Sequence, residues 1–268
     1  MSAVVDAAKA AARAGRLEGG MPEVMLSLLP RAKRYAIAPV STFRVGAVAR
    51  GSNGALYLGA NIEYVGPALS FTVHAEQAAT INAWQHDEKG LEAIAVTHAP
   101  CGYCRQFLYE LAAGAGLTVH VGGKTLRLGR LLRDPFGPED LDKTERLMVP
   151  DDHGLTIDPM PRSLLVTAAL RAADASYAPH TGSFAGVAIE TASGAVYAGR
   201  YAENAAFNPS VSPLQSALVM RALAGHTDDA VTRAVLVETA SSIVRHEAAT
   251  RELLRLISNA RLRIYRTS

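Results

Sequence analysis

The chain has 268 residues, with Lys and Arg totalling 27 against 25 Asp and Glu, a formal net charge of +2. That near-balance argues against a broad phosphate-tracking surface, so nucleic acid is not an expected partner. No stretch approaches the ~20 apolar residues of a membrane span, the Ala-rich start lacks a signal-type apolar core, and the only two cysteines, Cys101 and Cys104, leave no disulfide framework, which together predict a cytoplasmic protein with no membrane partner.

In chain order, residues 1–25 read as a short N-terminal helical segment. Residues 43–49 alternate loosely, and 55–61 carry Leu56, Tyr57 and Leu58. Ser52-Asn53-Gly54 between them is a strong hairpin signal, because both residues of an Asn-Gly pair tolerate positive φ. Residues 74–84, rich in Ala, Gln and Glu with Ile81 and Trp84 spaced toward a core, predict a helix. A buried strand is expected over 91–97, a second helix over 101–111 and a further strand over 117–121. Strand, helix, strand, helix, strand implies an α/β fold, a sheet covered on both faces. Residues 133–162 hold five prolines and many charges, and read as a connecting segment with little regular structure.

The sequence repeats. Shifted by 140 residues, Ala38-Pro39 falls on Ala178-Pro179, Gly46 on Gly186, Gly54-Ala55 on Gly194-Ala195, Tyr57 on Tyr197, Gly59 on Gly199 and Glu63 on Glu203. Both halves are expected to fold alike. In that register His74 meets Leu214 and Glu76 meets Ser216, and near Cys101 and Cys104 the second half offers Ala240-Ser241-Ser242. The second half keeps the shape without metal ligands. The domain reading is 1–25 helical segment, 26–135 metal-bearing domain, 136–162 linker and 163–268 degenerate domain.

The chemistry concentrates in His74-Ala75-Glu76 and Pro100-Cys101-Gly102-Tyr103-Cys104. A C-x-x-C pair alone also marks a redox dithiol or a closed structural zinc site. The upstream His74-x-Glu76 favours a catalytic zinc (Zn2+) held by His74, Cys101 and Cys104, with a fourth position open and Glu76 as acid and base above it. Both ligand groups fall at helix starts, where free N–H groups favour thiolates, and Arg105 adjoins them. His98 and His120 are weaker candidates for a further ligand. Asn61 and Glu63, two apart at a strand end, either grip a sugar hydroxyl or form a solvated end. Phe43 reads as core or as a stacking ring, Trp84 as core. The arginines at 251, 255, 261, 263 and 266 read as a solvated face, with contact to a polyanion as the alternative.

H-x-E followed by P-C-x-x-C is the signature of zinc-dependent base deaminases. With V-S-T-F-R-V-G-A at 40–47, G-A-N-I-E at 59–63, H-A-E-Q at 74–77, P-C-G-Y-C-R-Q-F at 100–107, F-G-P-E-D-L at 136–141 and Y-A-E-N-A-A-F-N-P at 201–209, the chain resembles cytidine deaminase of the dimeric type with a degenerate second module. The resemblance implies a three-layer αβα fold with a mixed sheet, duplicated, and deamination of free cytidine and deoxycytidine. It implies zinc at His74, Cys101 and Cys104, acid/base work at Glu76, ribose contacts at Asn61 and Glu63, stacking at Phe43 and a main-chain contact at Ala75. Phe136 would line the pocket, and Ala206 and Phe207 would reach the partner's active site in a homodimer. His98-Ala99 departs from the Tyr-Thr common in relatives.

Overall fold

The computed structural model describes residues 2–267 and divides them into two compact units. The first unit runs up to Tyr64 and adds Thr72–Val149 and Asn204–Pro209. Its elements are β1 (Val4–Val5), α1 (Ala7–Ala14), α2 (Gly20–Ala32), β2 (Gly46–Gly51), β3 (Leu56–Ala60), α3 (Ala75–Gln85), β4 (Leu91–Val96), α4 (Gly102–Tyr109), β5 (Thr118–Val121), β6 (Lys124–Arg127) and the short α5 (Leu128–Leu131). The sheet order is β1-β3-β2-β4-β5-β6. It is mixed: β4 and β5 run parallel, while β2 pairs antiparallel with β3 and β4.

Two glycines explain how helices lie on both faces. A Cβ at Gly59 would stand 2.1 Å from the Ala79 backbone nitrogen in α3. One at Gly46 would stand 2.7 Å from the Lys33 nitrogen, just past α2. Gly46 pairs with Ala60, the neighbour of Gly59, so the two glycines face opposite sides of the pleat. Helices α2 and α3 therefore sandwich the sheet, the three-layer arrangement expected. Helix α2 runs on through residue 25 to Ala32, burying Val24, Met25, Leu28 and Leu29, because this apolar face covers the inner side of β2.

The second unit comprises Val65–Phe71, Pro150–Glu203 and the chain from Ser210. It holds α6 (Leu164–Asp174), β7 (Ala185–Thr191), β8 (Val196–Arg200), α7 (Pro213–Leu223), β9 (Val231–Thr239), α8 (Glu247–Ile257) and β10 (Arg261–Thr267). The sheet order is β10-β9-β7-β8. The repeat holds at the level of register: the bulge at Arg50/Gly51 in β2 recurs at Glu190/Thr191 in β7. A Cβ at Gly199 would stand 2.3 Å from the Ala217 nitrogen, much as one at Gly59 would stand against α3. No helix among the described residues is long and apolar enough to cross a membrane.

The first predicted strand begins later than expected, at Gly46 rather than residue 43. The Val40 and Ser41 amides donate to Glu63 Oε2 at 3.0 and 2.9 Å, and Val45 donates to Asn61 Oδ1 at 2.8 Å. These side-chain acceptors draw 40–45 into a loop and away from the ladder. Strands β1, β6 and β10 were not anticipated from the pattern; β1 has only two residues, and β6 is exposed apart from Leu126.

Candidate active site and metal centre

His74 is the N-cap of α3 and Cys101 the N-cap of α4, with Cys104 in the first turn of α4. Each cap sits where the chain turns from extended backbone into a helix, so short side chains there point beyond the helix tip. Gln77 fixes the first cap by accepting from the His74 amide at 3.0 Å. The loop before α4 is held by Arg105, which donates to the carbonyl oxygens of Pro100 at 2.8 Å and Leu131 at 2.7 Å. Arg105 thus ties the thiol loop to α5.

The two caps bring three donors together. Cys101 Sγ lies 3.5 Å and Cys104 Sγ 3.2 Å from His74 Nδ1, and the sulfurs are 3.7 Å apart. All three donor atoms lie within 4.8 Å of one another. A tetrahedral zinc with Zn–S of about 2.3 Å and Zn–N of about 2.0–2.1 Å sets its sulfurs about 3.8 Å apart and each about 3.6 Å from the nitrogen. The donor set fits that ion, and both cysteines are free thiols. His98 and His120 stand outside the cluster. His120 pairs instead with Thr125 at 2.9 Å.

The electrostatics agree with a shared cation. Hydrogen bonds from Cys104 and His74 hold the Cys101 thiol down to about 3. Cys104 moves the other way, raised by its bond to Cys101 and by burial. His74 is raised, chiefly by its bond to Cys101. Two sulfurs this close cannot both be anionic without a positive charge between them. Glu76, the second residue of α3, is 4% exposed, and burial raises its carboxyl.

Beside the triad opens a cavity of about 260 Å³ whose lining includes Phe43, Asn61, Glu63, His74, Ala75 and Glu76. Ala75 begins α3, so its N–H has no acceptor inside the helix. Phe43 is 52% exposed, and its ring centroid is 4.6 Å from that of His98, which also lines the cavity. Asn61 and Glu63 are buried and carry an extra duty. Asn61 Nδ2 donates to the Phe43 carbonyl at 2.9 Å and to Glu63 Oε1 at 3.3 Å. Burial pushes the Glu63 carboxyl up, but the Ser41 hydroxyl and the two loop amides outweigh it, leaving it below the usual range. The pair therefore shapes the loop that presents Phe43. The sequence reading missed Ser41 and Thr72 on the cavity wall; a lone hydroxyl in a loop gives no pattern to read. Trp84 is buried core.

Phe136, Ala206 and Phe207 do not line this cavity. Phe136 is 44% exposed, and its carbonyl accepts from Gln106. Ala206 and Phe207 lie in the segment Asn204–Pro209, which packs within the first unit. Asn204 Nδ2 and the Ala205 amide donate to the buried Glu110 at 3.0 and 3.1 Å, and Gln77 Nε2 donates to the Pro209 carbonyl at 3.0 Å. Tyr103 also donates to the Asn208 carbonyl. Glu110 was invisible in the sequence, since one acidic residue in a helix end is ordinary. Between these anchors Phe207 stands 60% exposed at φ 59°.

In the second unit Glu203 repeats the role of Glu63, accepting from the His180 and Thr181 amides at 2.8 and 3.2 Å. Position 201, matching Asn61, is Tyr201, whose ring meets His246 at 4.3 Å. No second metal cluster occurs among the described residues.

Residues 21–118 and 128–251 each match the family described as "Cytidine and deoxycytidylate deaminase zinc-binding region". A cytidine deaminase of Yersinia pestis (strain Pestoides F) is 50% identical over 216 residues, 79% of this chain and 72% of that protein. A cytidine deaminase of Yersinia pseudotuberculosis serotype IB (strain PB1/+) matches to the same extent. Among solved structures, cytidine deaminase from Mycobacterium tuberculosis is 32% identical, covers 43% of this chain and 96% of its own, and has a TM-score of 0.40. That from Burkholderia pseudomallei is 28% identical over 42% of this chain and 98% of its own, with a TM-score of 0.39.

Proposed function

This chain belongs to the cytidine and deoxycytidylate deaminase family, and from that premise we propose that it hydrolyses cytidine and deoxycytidine to uridine and deoxyuridine with release of ammonia. The observation that carries the reading is the convergence of one imidazole nitrogen and two sulfurs within 4.8 Å on a cavity that also holds the buried Glu76. His74, Cys101 and Cys104 would hold the zinc. Bound there, zinc supplies Lewis acidity and lowers the pKa of water toward neutrality.

The chain's own residues do the rest. Glu76 accepts a proton from the attacking water and returns protons to the ring nitrogen and to the departing amine. Burial raises its carboxyl, which suits a group that must hold a proton between those steps. Water adds at C4, the C4–N4 bond breaks, and ammonia carries the proton away. Phe43 gives a face for the pyrimidine, the Ala75 amide a donor for its carbonyl, and Asn61 with Glu63 a donor and acceptor for the ribose. The free nucleoside fits a cavity of about 260 Å³.

We also propose a cytoplasmic homodimer. Both cysteines are free of disulfides and would serve the zinc as reduced thiolates, which suits a reducing compartment. Ala206 and Phe207 would wall the partner's pocket; the anchored segment and its exposed ring support this. Phe136 would join the wall on substrate binding. The domain division we propose is 1–25, 26–135, 136–162 and 163–268, although α2 (Gly20–Ala32) crosses its first boundary and the first compact unit runs on to Val149.

The test is loss of the cytidine absorbance band on adding purified protein, with and without a chelator. Glu76→Gln is expected to keep about one zinc per chain and to lose roughly 10²–10⁴-fold in turnover. Substantial activity in that variant, or two zinc ions per chain, rejects the assignment.

A further inference from the structure

The second unit carries a cavity of about 450 Å³ between the start of α6 and strands β9 and β10. Arg162, Arg233, Arg261 and Arg263 line it. In the parallel β10–β9 register Arg261 stands opposite Arg233 and Arg263 opposite Val235. Residues 261, 263 and 265 alternate onto one face, and Tyr265 packs with Leu165 and Val166 of α6, so that face is the cavity's. Three stretches of chain, 161–166, 232–235 and 259–265, thus bring arginines to one space.

The charge there is unbalanced. Arg233 is bound to Glu190 at 2.9 Å. The other arginines of the C-terminal stretch have partners: Arg251 has Glu247, Arg255 has Glu252 and Arg266 has Glu238. Arg162, Arg261 and Arg263 have no carboxylate partner among the described residues, and no acidic residue lines the cavity. Guanidinium forks match phosphate oxygens, and like charges crowded on one wall raise the local potential for anions. The floor is apolar, from Leu165, Val166, Val235 and the Tyr265 ring, with room for a small molecule on the usual scale of ~300–1,000 Å³.

We propose that this cavity binds a small molecule carrying two or more phosphoryl groups, with its phosphates on Arg162, Arg261 and Arg263. A single phosphate would leave positive charge unanswered. Arginines on an edge strand also deter sheet-to-sheet pairing, but that role needs charge along β10 alone and gives no reason for Arg162, on the far wall, to join them.

Calorimetric titration of the zinc-loaded full chain with inorganic pyrophosphate tests this, with CTP and uridine in parallel. Pyrophosphate has no base, so nucleoside binding at the first cavity does not supply its signal. One site per chain is expected, weakening severalfold between about 50 and 200 mM salt. Arg261→Ala/Arg263→Ala should bind pyrophosphate at least about tenfold more weakly while deaminating cytidine at the parent rate. Arg162→Ala, on a different element, should repeat the loss without touching the edge strand. CTP binding more tightly than pyrophosphate assigns the site to a nucleotide, and equal binding to the diphosphate alone; both support the proposal. No pyrophosphate heat, or heat unchanged in the arginine variants, overturns it.

Discussion

Glu63 shows how much one side chain can carry. Its oxygens accept from two loop amides and the Ser41 hydroxyl, and it faces the cavity. Glu63→Gln replaces an ionic acceptor with a neutral amide that also brings donors into a site already full of them. Stability is expected to fall by about 1–3 kcal/mol, and KM for cytidine to rise more than kcat falls, measurable by urea unfolding and steady-state rates. His246 offers a second test. Burial lowers it from 6.5 to about 4, and its Nε2 has no hydrogen-bond partner. Between those values the unfolded chain binds a proton that the folded chain refuses. Stability from this group is therefore full above pH 6.5 and is lost as pH falls toward 4, by about 2–3 kcal/mol. Urea midpoints at pH 7 and 4.5 should differ less in His246→Leu than in the parent; equal differences would reject the assignment.

At the scale of elements, the proposed catalytic groups depend on helix–strand distances that glycine permits. An added methyl at Gly59 meets the Ala79 nitrogen at 2.1 Å and the Ala75 oxygen at 2.5 Å. Gly59→Ala must push α3 off the sheet, and with it His74 and Glu76. A loss of about 3 kcal/mol is expected, together with reduced zinc content, whereas Gly90→Ala, with nothing within 4 Å, should leave both unchanged. Thermal unfolding and metal analysis on the same samples separate the cases. The hairpin β2–β3 and helices α3 and α4 were legible in the sequence because Asn53-Gly54 and the apolar spacing act over a few residues. Strand β2's true start was not, because the acceptors that unravel 40–45 lie at positions 61 and 63, on the next strand.

For the whole molecule, the proposed exchange of Phe207 between protomers predicts complementation. Glu76→Gln and Phe207→Ala should each be impaired alone. In a hybrid dimer, one site carries both defects and the other combines an intact Glu76 with the partner's Phe207. Co-expressed and differently tagged chains should therefore recover up to about half the parent activity per dimer; no recovery would place Phe207 outside the partner's site. By itself the sequence determined the donor set, the fold class and the duplication without a second metal site. Those signals are local, since each ligand sits at or within one turn of a helix cap and the repeat is a matter of order along the chain. Only the tertiary structure decided that Asn61 and Glu63 build the loop under Phe43, that Asn204–Pro209 is moored to Glu110 and Gln77, and that Arg162 meets Arg261 and Arg263. Those contacts join residues tens to more than a hundred positions apart, and side-chain packing across a sheet leaves no periodic trace in the chain that makes it.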